Sequence, residues 1–248
     1  MSLEPIRPHP TLERYYRSEV ERVGVVRDLF DAGAPSYEWI CRVMSFGTGE
    51  WYRARVLREA GLRAGSRILD VATGTGLVLR SARTICGPAG LAVGLDPSRG
   101  MLDQCRASCP APLVQAFGER LPFADASFDM ISMGYGLRHV ADLRALFAEF
   151  VRVLAPGGRV LVLELTQPRS RVARWANRAY MRSIVPAVAY FGTRRAAARR
   201  MMQYFWDTIE QCVPPETILA ALRDSGFRDD RRRVTGAVLS EYHAVKSV

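Results

Sequence analysis

Arg67-Ile68-Leu69-Asp70-Val71-Ala72-Thr73-Gly74-Thr75-Gly76 is the stretch that decides the fold. Residues 67–71 read as a buried strand, Gly74 and Gly76 as a tight turn, and Leu77–Ile85 as an apolar helical run. A second short strand, Leu91–Leu95, ends in Asp96. Glycine lets a backbone approach a ligand without a Cβ in the way, and the start of the following helix presents free N–H groups. Asp96 stands twenty residues beyond Gly76, where a carboxylate can accept both hydrogen bonds of a ribose diol. The layout is that of a nucleoside site.

The third glycine of a dinucleotide fingerprint would fall at position 79, which is Leu79. That glycine permits tight packing of helix on strand beneath a pyrophosphate, so its absence argues against NAD. A nucleoside ligand without phosphates has no need of it, and S-adenosylmethionine is one. The plainer alternative is a structural strand–helix turn with a surface aspartate.

The chain has 248 residues, 48% of them hydrophobic, which is enough for one full α/β core with additions. No apolar run reaches the roughly 18–20 residues that span a bilayer, and Met1–Pro10 lacks the apolar centre of a signal peptide. A cytoplasmic protein is the expectation, with a peripheral position at the inner face of the membrane open to it. Cys41, Cys86, Cys105, Cys109 and Cys212 are scattered and read as free thiols. Cys105 and Cys109 have helical i, i+4 spacing, but His9, His139 and His243 are too dispersed to complete a metal site, and none is expected. Net charge is +10, and no acidic residue occurs between Gln167 and Trp206 while arginines recur there. Such a surface attracts anions, whether lipid headgroups or nucleic acid.

Residues 1–20 read as a mobile lead-in. Helical patterning covers about Val20–Phe30, Tyr37–Met44 and Glu50–Ala60. Strands are expected at 67–71, 91–95, 112–116, 128–133 and 159–165, with helices at 77–86, 98–108 and 141–154, the last stopped by Pro156-Gly157-Gly158. This alternation predicts an α/β fold with a doubly wound, mostly parallel seven-stranded sheet, helices on both faces. From Arg169 to Gln211 the pattern is helical, interrupted by Pro186, and reads as an insertion over the carboxyl ends of the strands. A helix at about Glu216–Ser225 and a closing hairpin at about 231–234 and 237–245 end the chain. The expected organisation is one domain: a helical lid (about 1–60), a cofactor core (61–166), a basic insertion (167–212) and a closing helix and hairpin (213–248).

Further motifs follow the strands: Gly118-Glu119-Arg120-Leu121-Pro122-Phe123, Gly134-Tyr135-Gly136-Leu137-Arg138-His139-Val140, and Phe150-Val151-Arg152-Val153-Leu154-Ala155-Pro156-Gly157-Gly158 before Val162-Leu163-Glu164. With the opening stretch they resemble a class I S-adenosylmethionine methyltransferase. More narrowly, the chain resembles the ubiquinone/menaquinone biosynthesis C-methyltransferase (UbiE-type) family over about 27–246. The narrower resemblance rests on Phe30-Asp31, Ser36-Tyr37, Met44-Ser45-Phe46-Gly47 and Trp51-Tyr52-Arg53, on Gly136-Leu137-Arg138, on Tyr204 with Asp207-Thr208-Ile209, and on Gly226-Phe227 and Thr235-Gly236.

The resemblance implies S-adenosylmethionine as cofactor, held by Tyr37, Ser45, Asp70, Thr73, Gly74, Thr75, Gly76, Asp96, Pro97, Met101, Phe117, Gly118, Glu119 and Gly134. In it Thr75 and the Gly74/Gly76 backbone hold the methionine moiety, Asp70 braces the turn, Asp96 takes the ribose and Met101 lies on the adenine. Phe117 replaces a polar residue at the adenine edge, and a phenyl ring can only pack or stack there. An aromatic carbon attacks the sulfonium methyl well only when a ring hydroxyl is ionised, which calls for a base or a cation. Arg138 matches the family's arginine and His139 replaces its asparagine, so these two are the catalytic candidates. A salt bridge for Arg138 and a capping or surface role for His139 are the alternatives. Glu164, Asp207 and Glu210 rank behind them.

The implied acceptor is a prenylated benzoquinol- or naphthoquinol-type ring in quinone biosynthesis. Other readings are a soluble aromatic or specialised metabolite, an amine or phospholipid headgroup, or a non-catalytic or RNA-associated protein. Arg171, Arg174, Arg178 and Arg182, interleaved with Val172, Trp175, Ala179 and Ile184, suit a lipid headgroup interface. The expected partners are thus the aromatic acceptor, a membrane surface met by the 169–200 helices, and room for a homodimer. Without an aromatic platform, nucleic acid is disfavoured.

Overall fold

The computed structural model describes residues 4–168 and 170–247. Two helices open the chain, α1 (Glu19–Met44) and α2 (Gly49–Glu59). Strands and helices then alternate: β1 (Arg67–Val71), α3 (Leu77–Cys86), β2 (Leu91–Asp96), α4 (Arg99–Ser108), β3 (Leu113–Gln115), β4 (Phe128–Gly134), α5 (Leu143–Val153) and β5 (Leu154–Leu165). A helical block follows, α6 (Arg171–Ala179), a π-helical turn (Tyr180–Ile184), α7 (Val185–Thr193) and α8 (Ala196–Glu210), before α9 (Pro215–Asp224), β6 (Phe227–Thr235) and β7 (Leu239–Lys246).

The strands form one seven-stranded sheet in the order β3-β2-β1-β4-β5-β7-β6. β1 pairs in parallel with both β2 and β4, so the strand order reverses at its carboxyl end, the place where open α/β sheets bind ligands. Only β7 runs against its neighbours, antiparallel to β5 and β6. One face of the sheet packs Leu69, Ile131 and Val160 against Leu146, Phe147 and Phe150 of α5. The other packs Ile68 and Leu161 against Val56 and Leu57 of α2 and Leu79 of α3. Burial on both faces explains why the strands read as nearly unbroken apolar runs.

A third cluster, drawn mainly from α1, α7 and α8 with Met101 of α4, includes Ile40, Met201 and Phe205. Here the structure departs from expectation. α1 is one helix of 26 residues carrying Pro35 inside it, not two helices. Proline removes a single backbone donor. Against that, α1 lies so close to α8 that a Cβ on Gly33 would stand 2.2 Å from Met201 Sδ, and packing of this kind outweighs the lost hydrogen bond. Pro186 stands in the first turn of α7, directly after the π-helical turn that interrupts the α-helical run.

The expected mobile lead-in is instead packed down. Leu12, Tyr15 and Tyr16 are buried. The Tyr15 hydroxyl donates to Asp207 at 2.7 Å, Ile6 N donates to Asp142, and Val213 N donates to the Pro8 carbonyl. The charges that suggested solvation lie on one side of this segment and its aromatics on the other. Because Tyr16 is enclosed, Tyr16→Ala is expected to destabilise the fold by about 3–5 kcal/mol, the cost of emptying a large buried side chain. Denaturant unfolding of the two proteins checks this.

Candidate functional site

A cavity of about 380 Å³ opens at the carboxyl ends of β1, β2 and β4. Gly74, Asp96, Pro97, Met101, Phe117, Gly118, Glu119, Gly134, Tyr37 and His139 all line it. Asp96 is its buried charge. Oδ2 accepts the Gly74 N–H at 2.8 Å and Oδ1 the Ser98 N–H at 2.9 Å. Burial pushes this carboxyl up to about 6 against the pull of those two N–H donors. Phe117 is 45% exposed and on the cavity wall, so it does not point into the core.

Behind the wall stands the turn that shapes it. Asp70 is fully buried and accepts hydrogen bonds from the Thr73 and Ser132 hydroxyls, both at 2.7 Å; burial raises it too, to about 6. Gly76 has φ +87°, and a Cβ there would meet Cys105 Sγ at 2.6 Å, so glycine is required twice over. Asp70, Thr73, Thr75 and Gly76 brace the cavity without lining it. The backbone is held in left-handed conformations at Ala72 (φ +54°) and Tyr135 (φ +62°), the residues that follow β1 and β4. Non-glycine residues held there are a mark of functional sites.

Ser45 stands apart from the first cavity's lining. It caps the end of α1 and lines a second, mostly apolar cavity of about 410 Å³. Tyr37, Tyr135 and Phe205 belong to both cavities and form the boundary between them. Sequence reasoning overlooked Tyr135 and Phe205. Tyr135 stood in view between Gly134 and Gly136, whereas Phe205 carried no local signal, since only the fold brings α8 over the strand ends.

Arg138 is held inside the fold. It is fully buried, with Nη1 paired to Glu164 Oε1, Nε donating to the Thr208 hydroxyl at 3.2 Å, and its guanidinium 4.5 Å from the centre of the Phe205 ring. It lines neither cavity. Adjacent positions on a 3-10 turn, Leu137–His139, point different ways. So the turn sends Arg138 inward to Glu164 and His139 to the cavity. His139 stacks on Tyr204 at 5.5 Å, meets Phe30 edge-on at 4.9 Å, and has no hydrogen-bond partner on either ring nitrogen among the described residues. Burial, with help from the Arg138 charge, holds it well below the ordinary histidine range, so the ring is neutral. Asp207 and Glu210 serve elsewhere: Asp207 accepts from Tyr15, and Glu210 pairs with Arg178 at 3.0 Å.

Residues 17–246 match the ubiE/COQ5 methyltransferase family. Among curated proteins, the chain is 36% identical to the ubiquinone/menaquinone biosynthesis C-methyltransferase UbiE of Syntrophotalea carbinolica over 231 residues, covering 90% of this chain and 94% of that one. It is 34% identical to the demethylmenaquinone methyltransferase of Symbiobacterium thermophilum, over 85% and 87% of the two chains. Among solved structures, an S-adenosylmethionine-dependent methyltransferase from Thermotoga maritima, described as a possible histamine N-methyltransferase, superposes with a TM-score of 0.63 at 15% identity, over 89% of this chain and 99% of that one. At that identity the likeness speaks for the fold alone.

The Arg138–Glu164 pair has a measurable signature. Arg138→Met leaves a buried carboxylate without its cation and is expected to cost about 3–5 kcal/mol of stability. Adding Glu164→Leu is expected to recover most of that loss in thermal or denaturant unfolding.

Proposed function

The chain belongs to the ubiE/COQ5 methyltransferase family, and on that premise we propose that this S-adenosylmethionine-dependent methyltransferase methylates a ring carbon of a prenylated benzoquinol- or naphthoquinol-type acceptor in quinone biosynthesis. The observation that carries the reading is the pair of adjoining, mostly apolar cavities, the first holding a buried carboxylate, that share Tyr37, Tyr135 and Phe205.

The residues present fit the cofactor. A carboxylate has about four lone-pair sites and Asp96 uses two of them on backbone N–H groups, which leaves room for both hydroxyls of a ribose. Gly74 has nothing within 4 Å of where a Cβ would stand, so the turn leaves space at the ligand side. Met101 and Phe117 supply apolar surface for a base. Bound there, S-adenosylmethionine supplies an electrophilic sulfonium methyl. The protein's share is to align the ring, stabilise its ionised hydroxyl and keep water away.

Burial raises Tyr37 and Tyr135 above the usual phenol range, so both hydroxyls stay protonated and can donate to the ring oxygen of an acceptor. His139 is too weak a base to ionise a phenol unaided. Once the ring carbon carries the new methyl group, the proton on that carbon is strongly acidic, because its loss restores aromaticity. A neutral imidazole can accept it, and the weak basicity of His139 is no handicap in that step.

The second cavity suits a prenyl tail, and its rim suits a membrane. Phe46, 87% exposed, lines it together with Asn177 and Tyr180. Trp175 and Phe191, 73% and 75% exposed, extend the apolar edge on α6 and α7 among Arg171, Arg178 and Arg182. Arg169, part of the same run, lies outside the described residues. Arginines beside exposed aromatics favour anionic lipid headgroups. Among the described residues no helix is long and apolar enough to cross a membrane.

Methyl transfer from labelled cofactor to a prenylated benzoquinol, compared with its tail-less analogue, with and without anionic liposomes, tests the reading. Preference for the prenylated ring, increased by liposomes, is expected; equal or better transfer to the tail-less ring redirects it to a soluble aromatic. His139→Phe is expected to lower kcat by about 10²-fold or more with cofactor affinity unchanged. Asp96 must be ionised to hold the ribose, and its carboxyl lies near 6. Cofactor affinity measured calorimetrically is therefore level at neutral pH and weakens as pH falls through about 6. Asp96→Asn binds weakly throughout and loses that dependence.

A further inference from the structure

Arg53, near the start of α2, is 8% exposed and forms neither an ion pair nor a hydrogen bond with any described residue. Its nitrogens stand on a cavity wall without a protein acceptor, and a guanidinium with five donors so placed is open to an anionic ligand. Glu50, one turn earlier on α2, is exposed and forms no ion pair with it among the described residues. Glu38 is held by Arg80 at 2.7 Å, and Glu241 by Tyr52 and Thr235 at 3.1 and 2.9 Å. What faces Arg53 is a set of neutral groups, Tyr37 and Cys41 of α1 and Tyr135 after β4, each close enough to feel its charge.

Its position singles out one ligand. Arg53 lines the second cavity beside Tyr37 and Tyr135, the residues shared with the first. In the groove on its outer side it stands with Leu77, the first residue of α3 after the glycine turn. A molecule with its ribose on Asp96 that runs along Gly74 and the strand ends past Gly134 meets Tyr135, and Arg53 beyond it. We propose that Arg53 receives the α-carboxylate of the methionine moiety of S-adenosylmethionine. The planar fork of the guanidinium matches a carboxylate in a bidentate pair. The inference rests on the cofactor reading above and extends it to a residue outside the glycine turn.

Two ligands separate the possibilities: S-adenosylhomocysteine, which has the carboxylate, and 5′-methylthioadenosine, which lacks the amino-acid end. Calorimetric binding of both to wild type and Arg53→Met is the test. The variant is expected to lose about 10–100-fold in affinity for S-adenosylhomocysteine, the worth of a charge-assisted pair, and less than about threefold for methylthioadenosine. Arg53→Lys is expected to fall between, keeping the charge but not the fork. Gly49→Ala is an independent probe, because its Cβ would press on Arg53 Nη1 at 3.0 Å and Nη2 at 3.2 Å. It too is expected to weaken S-adenosylhomocysteine selectively. Removing an unpaired charge is expected to leave Tm unchanged or raise it by about 2–4 °C.

Equal loss for both ligands together with a lower Tm would make Arg53 a structural residue and overturn the proposal. So would unchanged affinity for both ligands with a raised KM for the phenolic acceptor, which would assign the guanidinium to the acceptor's ring oxygen. Failure of wild type to bind either ligand would instead defeat the cofactor reading itself.

Discussion

One hydrogen-bonded arrangement underlies the site: two buried carboxylates at the ends of neighbouring strands. Asp70 on β1 takes the hydroxyl of Ser132, its register partner on β4, and the hydroxyl of Thr73 in the turn. Asp96 at the end of β2 takes the Gly74 N–H across from that turn. Each carboxylate is costly to bury, and each is repaid by donors from a different strand end. The three strands are thereby fixed relative to one another where the sheet order reverses, and the glycine turn has one conformation left to it.

From this everything near the cavity takes its place. With the turn held, α3 leaves at a fixed angle, and Gly136 must be glycine because a Cβ there would come within 2.5 Å of the Ala72 methyl. The lid helix α1 is tied to the same corner by Asp31, which accepts from Ser98 Oγ at 2.5 Å and the Gly100 N–H at 2.8 Å. The first cavity, α1 and the second cavity are thus tied together.

The sheet was legible because its evidence is local. A buried parallel strand is an apolar run, and a ligand turn is a pair of glycines at fixed distance from an aspartate, so 67–96 could be read nearly residue by residue. What escaped was tertiary. Pro35 looks like a helix break until α8 is seen packed against Gly33. The first residues look solvated until Tyr15 and Tyr16 are seen on α8. Most telling are the arginines. Arg138 carries the more suggestive motif, yet its charge is spent on Glu164, 26 residues away. Arg53 sits in an ordinary helix and has no ion pair among the described residues. Spacing identifies where a guanidinium is, and only the fold reveals what neutralises it.

The docked amino-terminal segment has a consequence for how the molecule is made. Tyr15 is synthesised well before its partner Asp207, which lies 192 residues downstream. Val213, which bonds Pro8, comes later still. Contacts of such separation carry the largest loop-closure entropy and form late. On the ribosome the segment must wait, unpaired and rich in tyrosine, while the 67–165 core can already assemble behind it. Closure of the lid end is then the last act of folding, and until it happens the chain exposes the aromatic surface of α8, the kind of surface on which nascent proteins aggregate or recruit chaperones.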